Sequence, residues 1–228
     1  MKDRLSLLDT LTVGVFAVQA AFAVYIAVKG STTPMPMPMH WNADWQVDRW
    51  GSRVEFATFL GGMALIGVIA AAGLALAALR AEAQGDASRR RSMRIGQGLT
   101  LFIFTAIGLT LAWAGMGHAT VDSGPAVMTG ALSLILLVTG AFLGRVAPNP
   151  LIGVRTPWSY KSRLAWDRSN RLAGRLFCLI GLAGLVAAPF ARQPYAVTTL
   201  TVAVLIAAAL SAFESWRVWR ADPNRHPF

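Results

Sequence analysis

The chain has 228 residues, of which 55% are hydrophobic and 14% are charged, and its formal net charge is +10. This composition excludes an ordinary soluble globular domain, which would have to expose far more apolar surface than such domains do. A strongly basic chain suggests nucleic acid as a partner, so the distribution of the charge has to decide between that partner and a membrane.

Six apolar runs approach or exceed the roughly 20 residues that an α-helix needs to cross the hydrocarbon core of a bilayer. The first run is longer than the roughly 7 to 15 residues of a signal-peptide core, and no small-residue cleavage site follows it, so we interpret it as an uncleaved anchor. The sequence therefore predicts an all-α, polytopic membrane protein with six transmembrane helices, at residues 7–28, 54–79, 95–117, 126–144, 172–190 and 195–213.

The basic residues are distributed asymmetrically between the two sides of the predicted spans. If both termini lie on one side, 17 of the 21 Lys and Arg residues fall on that side. Cytoplasmic loops are enriched in Lys and Arg, so we predict that both termini are cytoplasmic. This topology, together with attraction to anionic membrane lipids, accounts for the charge, and we expect no direct contact with nucleic acid.

The loop between the first two spans, "TTPMPMPMHWNADWQVDRWGSR" (32–53), concentrates polar and aromatic residues outside the cytoplasm. A turn between His40 and Asp48 would bring the imidazole and the carboxylate together beneath Trp41 and Trp50, where they could hydrogen-bond a ligand. An alternative is a belt of tryptophans at the depth of the lipid headgroups. The candidate ligand-binding residues are His40, Trp41, Asn42, Asp48, Trp50 and Arg53.

The alternating methionines of this loop raise a second possibility, a metal site. On an extended segment Met35, Met37 and Met39 would share one face beside His40, and thioethers with an imidazole suit monovalent copper. The alternative is a stiff apolar collar where the chain leaves the bilayer. No second cluster of Cys or Met supplies a path through the spans, and the single cysteine, Cys178, lies within the fifth span.

The loop before the fifth span contains "NPLIGVRTPWSYKSRLAWDRSNRLAGR" (149–175). Its prolines exclude a helix at the start, and Thr156 followed by Pro157 is typical of a helix beginning. From Ser162 onward, charged and aromatic residues recur four apart. This spacing predicts a short amphipathic helix that lies along the membrane surface before the fifth span.

Two motifs in these loops resemble those of the SdpI-like family of bacterial multi-span membrane proteins. "PMHWNADWQVDRWGSR" is similar to the pattern P-x-H-[FW]-N-x-x-G-x-x-D-x-W-G-[ST]-[KR], and the loop before the fifth span resembles G-[IV]-R-T-P-W followed by W-x-x-x-[NH]. The sequence departs from the first pattern at Trp45, where glycine is usual, and at Val47, where proline is common. Tryptophan adopts a positive φ less readily than glycine, so we expect the turn to be reshaped.

The resemblance implies a division into two parts and a location in the bacterial plasma membrane. Residues 1–80 would form the first two spans with the HWN-type loop, and residues 81–228 the four-span SdpI-like region with the GVRTPW loop. The family is named for a protein that protects bacteria from a peptide toxin made by their siblings. In that protein the cytoplasmic side can hold a transcriptional repressor at the membrane.

By resemblance, the chain is a membrane-embedded immunity or receptor protein that binds a peptide toxin or another envelope ligand outside and signals to a cytoplasmic regulator. Trp and Arg dominate protein interfaces, but the same loop could also simply return the chain to the membrane. The candidate residues for the cytoplasmic interaction are Arg155, Thr156, Trp158, Trp166 and Asn170.

Two other function classes remain open from the sequence. A small-molecule or ion transporter ordinarily carries polar residues within its spans, and Gln19 and Gln97 are the best candidates. An integral membrane enzyme at the outer face would use His40 and Asp48 as acid and base. The chain has neither a nucleophile elbow nor an H-E-x-x-H motif, so we favour a protein without enzymatic activity and expect no cofactor.

Overall fold

The computed structural model describes residues 6–28, 36–120 and 123–226. It contains six long helices that are each long and apolar enough to cross a bilayer. They are α1 (Leu7–Val28), α2 (Arg53–Ala83), α3 (Ala87–Trp113), α4 (Ser123–Leu143), α5 (Arg163–Ala187) and α6 (Tyr195–Ala221). The predicted six-helix, multi-pass membrane fold is confirmed, and the cytoplasmic position of the termini stays a prediction.

Side-chain caps begin α2, α3 and α5, and for α3 and α5 the cap lies well outside the apolar run. Ser52 accepts a hydrogen bond from the backbone at the start of α2, Asp86 does so for α3 and Ser162 for α5. From Arg163 onward α5 is continuous, so the separate surface helix that we predicted is instead the first part of this span. Before it, the structure contains only a single 3₁₀ turn, Ser159–Lys161.

The helices pack as two groups of three, with α1, α2 and α3 in one and α4, α5 and α6 in the other. Phe16 of α1 and Phe104 of α3 meet edge to face, with ring centroids 6.3 Å apart. The closest backbone approach is between α4 and α5, where a Cβ added at Gly140 or at Gly181 would lie 2.5–2.6 Å from backbone atoms of the other helix. Glycine is required there because any side chain would force the helices apart.

A two-stranded antiparallel hairpin, β1 (Met37–Trp41) and β2 (Val47–Gly51), precedes α2 and was not predicted. It lies at the same end of the helices as the α3–α4 connection, and we call this end the hairpin face. The opposite end holds residues 84–92, 145–162 and 222–226, and we call it the basic face. Contacts across each face show which loops share it, as described below.

Candidate functional site

The turn of the hairpin is organised by Asn42. Its Oδ1 accepts hydrogen bonds from the backbone N–H groups of Asp44 (3.0 Å) and Gln46 (2.8 Å), and its own backbone N–H donates to the carbonyl of Gln46 (2.8 Å). Short polar side chains commonly close turns in this way. Asn42, which we predicted to contact a ligand, therefore has a structural role in the turn.

Trp45 occupies the left-handed backbone conformation of this turn, with a φ of 65°. Its indole is 8% exposed and stacks on Trp41, with ring centroids 5.6 Å apart. The indole N–H donates to the carbonyl of Thr120 (3.2 Å), in the α3–α4 connection. A Cβ at Gly124, in the first turn of α4, would collide with the same indole. The turn is thus compatible with tryptophan, and the side chain fixes the hairpin to the second helical group.

The structure brings His40 and Asp48 together across the hairpin. Nδ1 of His40 and Oδ1 of Asp48 are 2.6 Å apart, and the two side chains are 64% and 45% exposed. The pair therefore faces solvent rather than lying beneath the tryptophan rings. A carboxylate in this position orients the imidazole, which leaves Nε2 to exchange hydrogen bonds with a ligand.

The remaining predicted ligand residues lie on the hairpin or directly after it. Trp50 is 54% exposed, whereas Trp41 is half-buried by its stacking on Trp45. Arg53 begins α2, immediately after the N-cap residue. Arg49, which the family pattern leaves free to vary, forms an ion pair with Glu55 on α2. The hairpin thus presents an exposed His–Asp pair beside an exposed aromatic ring.

The methionines of this segment face the helices, not the histidine. Met37 is fully buried against apolar residues of α1 and α2, such as Ile26 and Phe56, and Met39 packs against the same cluster. Met35 lies outside the described residues. Within the described ranges no group of three His, Cys, Asp or Glu side chains could hold a metal ion. This placement supports an apolar collar, and the copper site stays an untested prediction.

On the basic face, two of the predicted contact residues lie on α5 and are buried against the loop that precedes it. Trp166 is 0% exposed, and its indole N–H donates to the carbonyl of Val146 (2.8 Å). Asn170 is 1% exposed, and its Oδ1 accepts from the backbone N–H of Val154 (2.8 Å). Both contact Gly153, whose φ of 123° and tight surroundings require glycine. Trp166 and Asn170 therefore shape the loop.

The other three candidates lie nearer the surface. Arg155 is exposed and donates to the carbonyl of Pro150 (2.8 Å), and Trp158 is half-buried. The Thr156 hydroxyl shares a hydrogen bond with Ser215 of α6 (2.6 Å). Of the five, Arg155 and Trp158 are the side chains that the structure leaves accessible to a partner, and a contact with one stays a prediction.

A second hydrogen bond joins this loop to the end of α6. Ser162 donates to a carboxylate oxygen of Asp222 (2.5 Å), and the backbone N–H of Asn224 donates to the other oxygen (2.9 Å). These two hydrogen bonds lower the pKa of Asp222, the bond from Ser162 contributing most. The carboxylate therefore connects the start of α5 to the end of α6.

Comparison with known proteins finds a similarity in the region of the second loop. Residues 145–213 match the model of the SdpI/YfhL protein family. Over 89 residues the chain is 28% identical to the immunity protein SdpI of Bacillus subtilis (strain 168), a stretch that covers 39% of this chain and 42% of that protein. This part of the chain is similar to the SdpI/YfhL family. No solved structure matches it.

The matched region, residues 145–213, begins just after α4 and runs through α5 into α6. It contains the whole GVRTPW loop with its internal hydrogen bonds, but not the hairpin. The matched segment spans about two fifths of the curated relative's length.

Sequence reasoning named Gln97 as a polar residue within a span, but it did not predict the polar cluster that Gln97 joins at the start of α1. Asp9 accepts hydrogen bonds from Arg94 (2.5 Å) and Gln97 (2.9 Å) of α3, and Gln97 also contacts Thr12 (3.2 Å). Ser6 and Asp9 cap the helix reciprocally. The S-x-x-D spacing that is typical of a capping box was the signal for Asp9, whereas its pairing with α3 depends on helix packing.

Proposed function

We propose that this chain is an immunity protein of the bacterial plasma membrane that binds a peptide toxin or another envelope ligand on its hairpin face. The observation that carries the proposal is the similarity, over 89 residues, to a protein described as an immunity protein. That similarity covers 39% of this chain, and the family match lies at residues 145–213, outside the hairpin. Toxin binding at the hairpin is therefore argued from geometry.

The hairpin has the properties of a recognition element. It combines an exposed hydrogen-bonding pair, His40 and Asp48, with the exposed ring of Trp50. Tryptophan and hydrogen bonds to charged groups contribute most of the binding energy at protein interfaces. The element is also rigidly held, because Met37 is buried against α1 and α2 and Trp45 is anchored on the α3–α4 connection. A preorganised element loses little entropy on binding.

This attachment gives a route by which a bound ligand could influence the helices. The hairpin contacts α2 directly through the Arg49–Glu55 ion pair, and it contacts the start of α4 through Trp45. At its other end α4 leads into the GVRTPW loop, where Arg155 and Trp158 are accessible. We propose that these two side chains dock a cytoplasmic transcriptional repressor, and that anionic lipids surround the basic face.

Survival of a sensitive bacterium tests the immunity function. Cells that express the chain should survive at least one of a panel of membrane-active peptides that kills cells carrying the empty vector. As a matched control for signalling, the double variant Arg155→Ala/Trp158→Ala should still protect while losing any toxin-dependent recruitment of a repressor to the membrane. Equal killing of expressing and control cells by every peptide, with the protein present in the membrane, would contradict the proposal.

A further inference from the structure

A cavity of about 410 Å³ opens on the basic face, at the junction of three segments. It lies between the start of α3, the chain that follows α4, and the start of α5. Small-molecule sites typically have volumes of about 300–1,000 Å³, so the cavity is large enough for an organic ligand. Its polar lining comes from Asp86, Ser88, Arg89, Asn149, Tyr160 and Arg163.

The wall formed by residues 147–150 is held in a single conformation. The Asn149 side chain donates to two backbone carbonyls and accepts from two backbone N–H groups, at 2.8–3.1 Å. The backbone N–H of Ala147 donates to the Ser92 hydroxyl of α3 (2.9 Å), and the carbonyl of Val146 accepts from Trp166. Because all these groups are already paired within the protein, the cavity is formed before any ligand arrives.

Two arginines from different helices line the cavity. Arg89 lies in the first turn of α3 and Arg163 is the first residue of α5, and both side chains are exposed. Neither forms an ion pair within residues 6–28, 36–120 and 123–226. Guanidinium groups bind phosphate oxygens in pairs of parallel hydrogen bonds, so two that face one cavity favour a phosphate group.

One carboxylate also borders the cavity. Asp86 caps α3, with one oxygen accepting from the backbone N–H of Arg89 (2.9 Å). This group weakens, without cancelling, the attraction of the two arginines for a ligand that carries only negative charge. A molecule with hydroxyl groups beside its phosphate could instead donate to Asp86 and hydrogen-bond Ser88 or Tyr160.

The depth of the two arginines favours a water-soluble ligand over a lipid headgroup. At 1.5 Å per helical residue, Arg89 lies about 9 Å beyond Ile95, the start of the apolar run of α3, and Arg163 lies about 14 Å beyond Leu172, the start of the run of α5. Headgroups occupy only about 5–8 Å of each leaflet. We propose that this cavity binds a small, hydroxylated, phosphate-bearing molecule from the aqueous phase on the basic face.

Calorimetric titration of the intact protein tests this assignment. The protein is placed in nanodiscs of phosphatidylcholine alone, and inorganic pyrophosphate and glycerol 3-phosphate are the two probes. We expect both to bind, and we expect the double variant Arg89→Gln/Arg163→Gln to bind them at least about tenfold more weakly, because each arginine supplies charge-assisted hydrogen bonds.

The matched control is Arg91→Gln/Arg168→Gln, which removes the same charge from the same two helices at exposed positions outside the cavity. It should weaken binding less than about twofold. If the control variant lost as much affinity as the cavity variant, general charge attraction would explain the binding and the proposal would be overturned.

A second comparison separates a soluble phosphate from a lipid. Nanodiscs that contain phosphatidylglycerol should leave pyrophosphate binding unchanged. If neither probe binds the parent protein, the proposal is wrong. If the protein retains phosphatidylglycerol but binds neither soluble probe, and this retention requires the two arginines, the cavity is a lipid site and the proposal is also wrong. Circular dichroism and the thermal unfolding midpoint of each variant confirm that it is folded.

Discussion

Replacing Trp45 by glycine, the residue usual at this position in the family pattern, should loosen the hairpin even though it relieves the backbone. A left-handed conformation costs a residue with a side chain about 1–2 kcal/mol, which the glycine would recover. The indole, however, is 8% exposed. Burial of about 150–250 Å² at about 25 cal/mol per Å² is worth about 4–6 kcal/mol, and its hydrogen bond to Thr120 adds about 1 kcal/mol. The net loss in docking free energy is about 3–6 kcal/mol.

Hydrogen exchange of the peptides that cover residues 37–51 measures this loss. Protection should fall in Trp45→Gly and fall further in Trp45→Ala, because alanine retains most of the backbone strain and glycine removes it. A difference of about 1 kcal/mol between the two variants corresponds to about a fivefold difference in exchange rate. Trp50→Ala is the control, since that ring is 54% exposed and its removal should change protection little. The anchoring role would be refuted if Trp45→Gly were protected as well as the parent. The strain argument would be refuted if Trp45→Ala were better protected than Trp45→Gly.

Three further predictions follow from the fold. Gly181→Ala should lower the free energy of unfolding by about 1–3 kcal/mol in a detergent titration, because the added methyl group meets the α4 backbone. Gly73→Ala is the control and should leave this free energy unchanged, because no atom lies within 4 Å of the added Cβ. The lowered pKa of Asp222 means that its contribution to stability is present above the ordinary carboxyl pKa of about 3.9 and is lost as pH falls through the folded value. The thermal unfolding midpoint of Asp222→Asn should therefore be lower than that of the parent at pH 6, and the two midpoints should converge at acidic pH. In a background without the native cysteine, an impermeant thiol reagent should label the variant Ala43→Cys in intact cells but not the variant Ser88→Cys. The reverse pattern would contradict the predicted topology.

The helices could be predicted because a membrane-spanning helix is encoded locally, by about 20 consecutive apolar residues. Their ends could not be read in the same way. The polar residues before Ile95 and Leu172 remain helical because capping by Asp86 and Ser162 starts α3 and α5 far outside the apolar runs. The hairpin gave no strand signal, since its two strands have five residues each and the first contains Pro38.

The candidate site was predictable in its composition but not in its burial. The spacing of His40 and Asp48 allowed them to meet across a turn, yet their exposure depends on how the hairpin sits on the helices. Trp166 is of a type common at interfaces, but on α5 it is buried against the preceding loop, where the carbonyl of Val146, twenty residues earlier, accepts a hydrogen bond from it. Contacts of this range are set by the assembled fold.

Survival under a protecting peptide, normalised to the amount of protein in the membrane, tests most directly whether the hairpin recognises the ligand. An exposed ion pair contributes at most about 1 kcal/mol to stability, so His40→Ala and Asp48→Ala should insert at the parent's level. We predict that both variants lose protection at unchanged abundance and that Arg49→Ala keeps it. A recognition role for the hairpin would be contradicted if His40→Ala and Asp48→Ala protected as well as the parent. It would also be contradicted if they lost protection only in proportion to protein abundance.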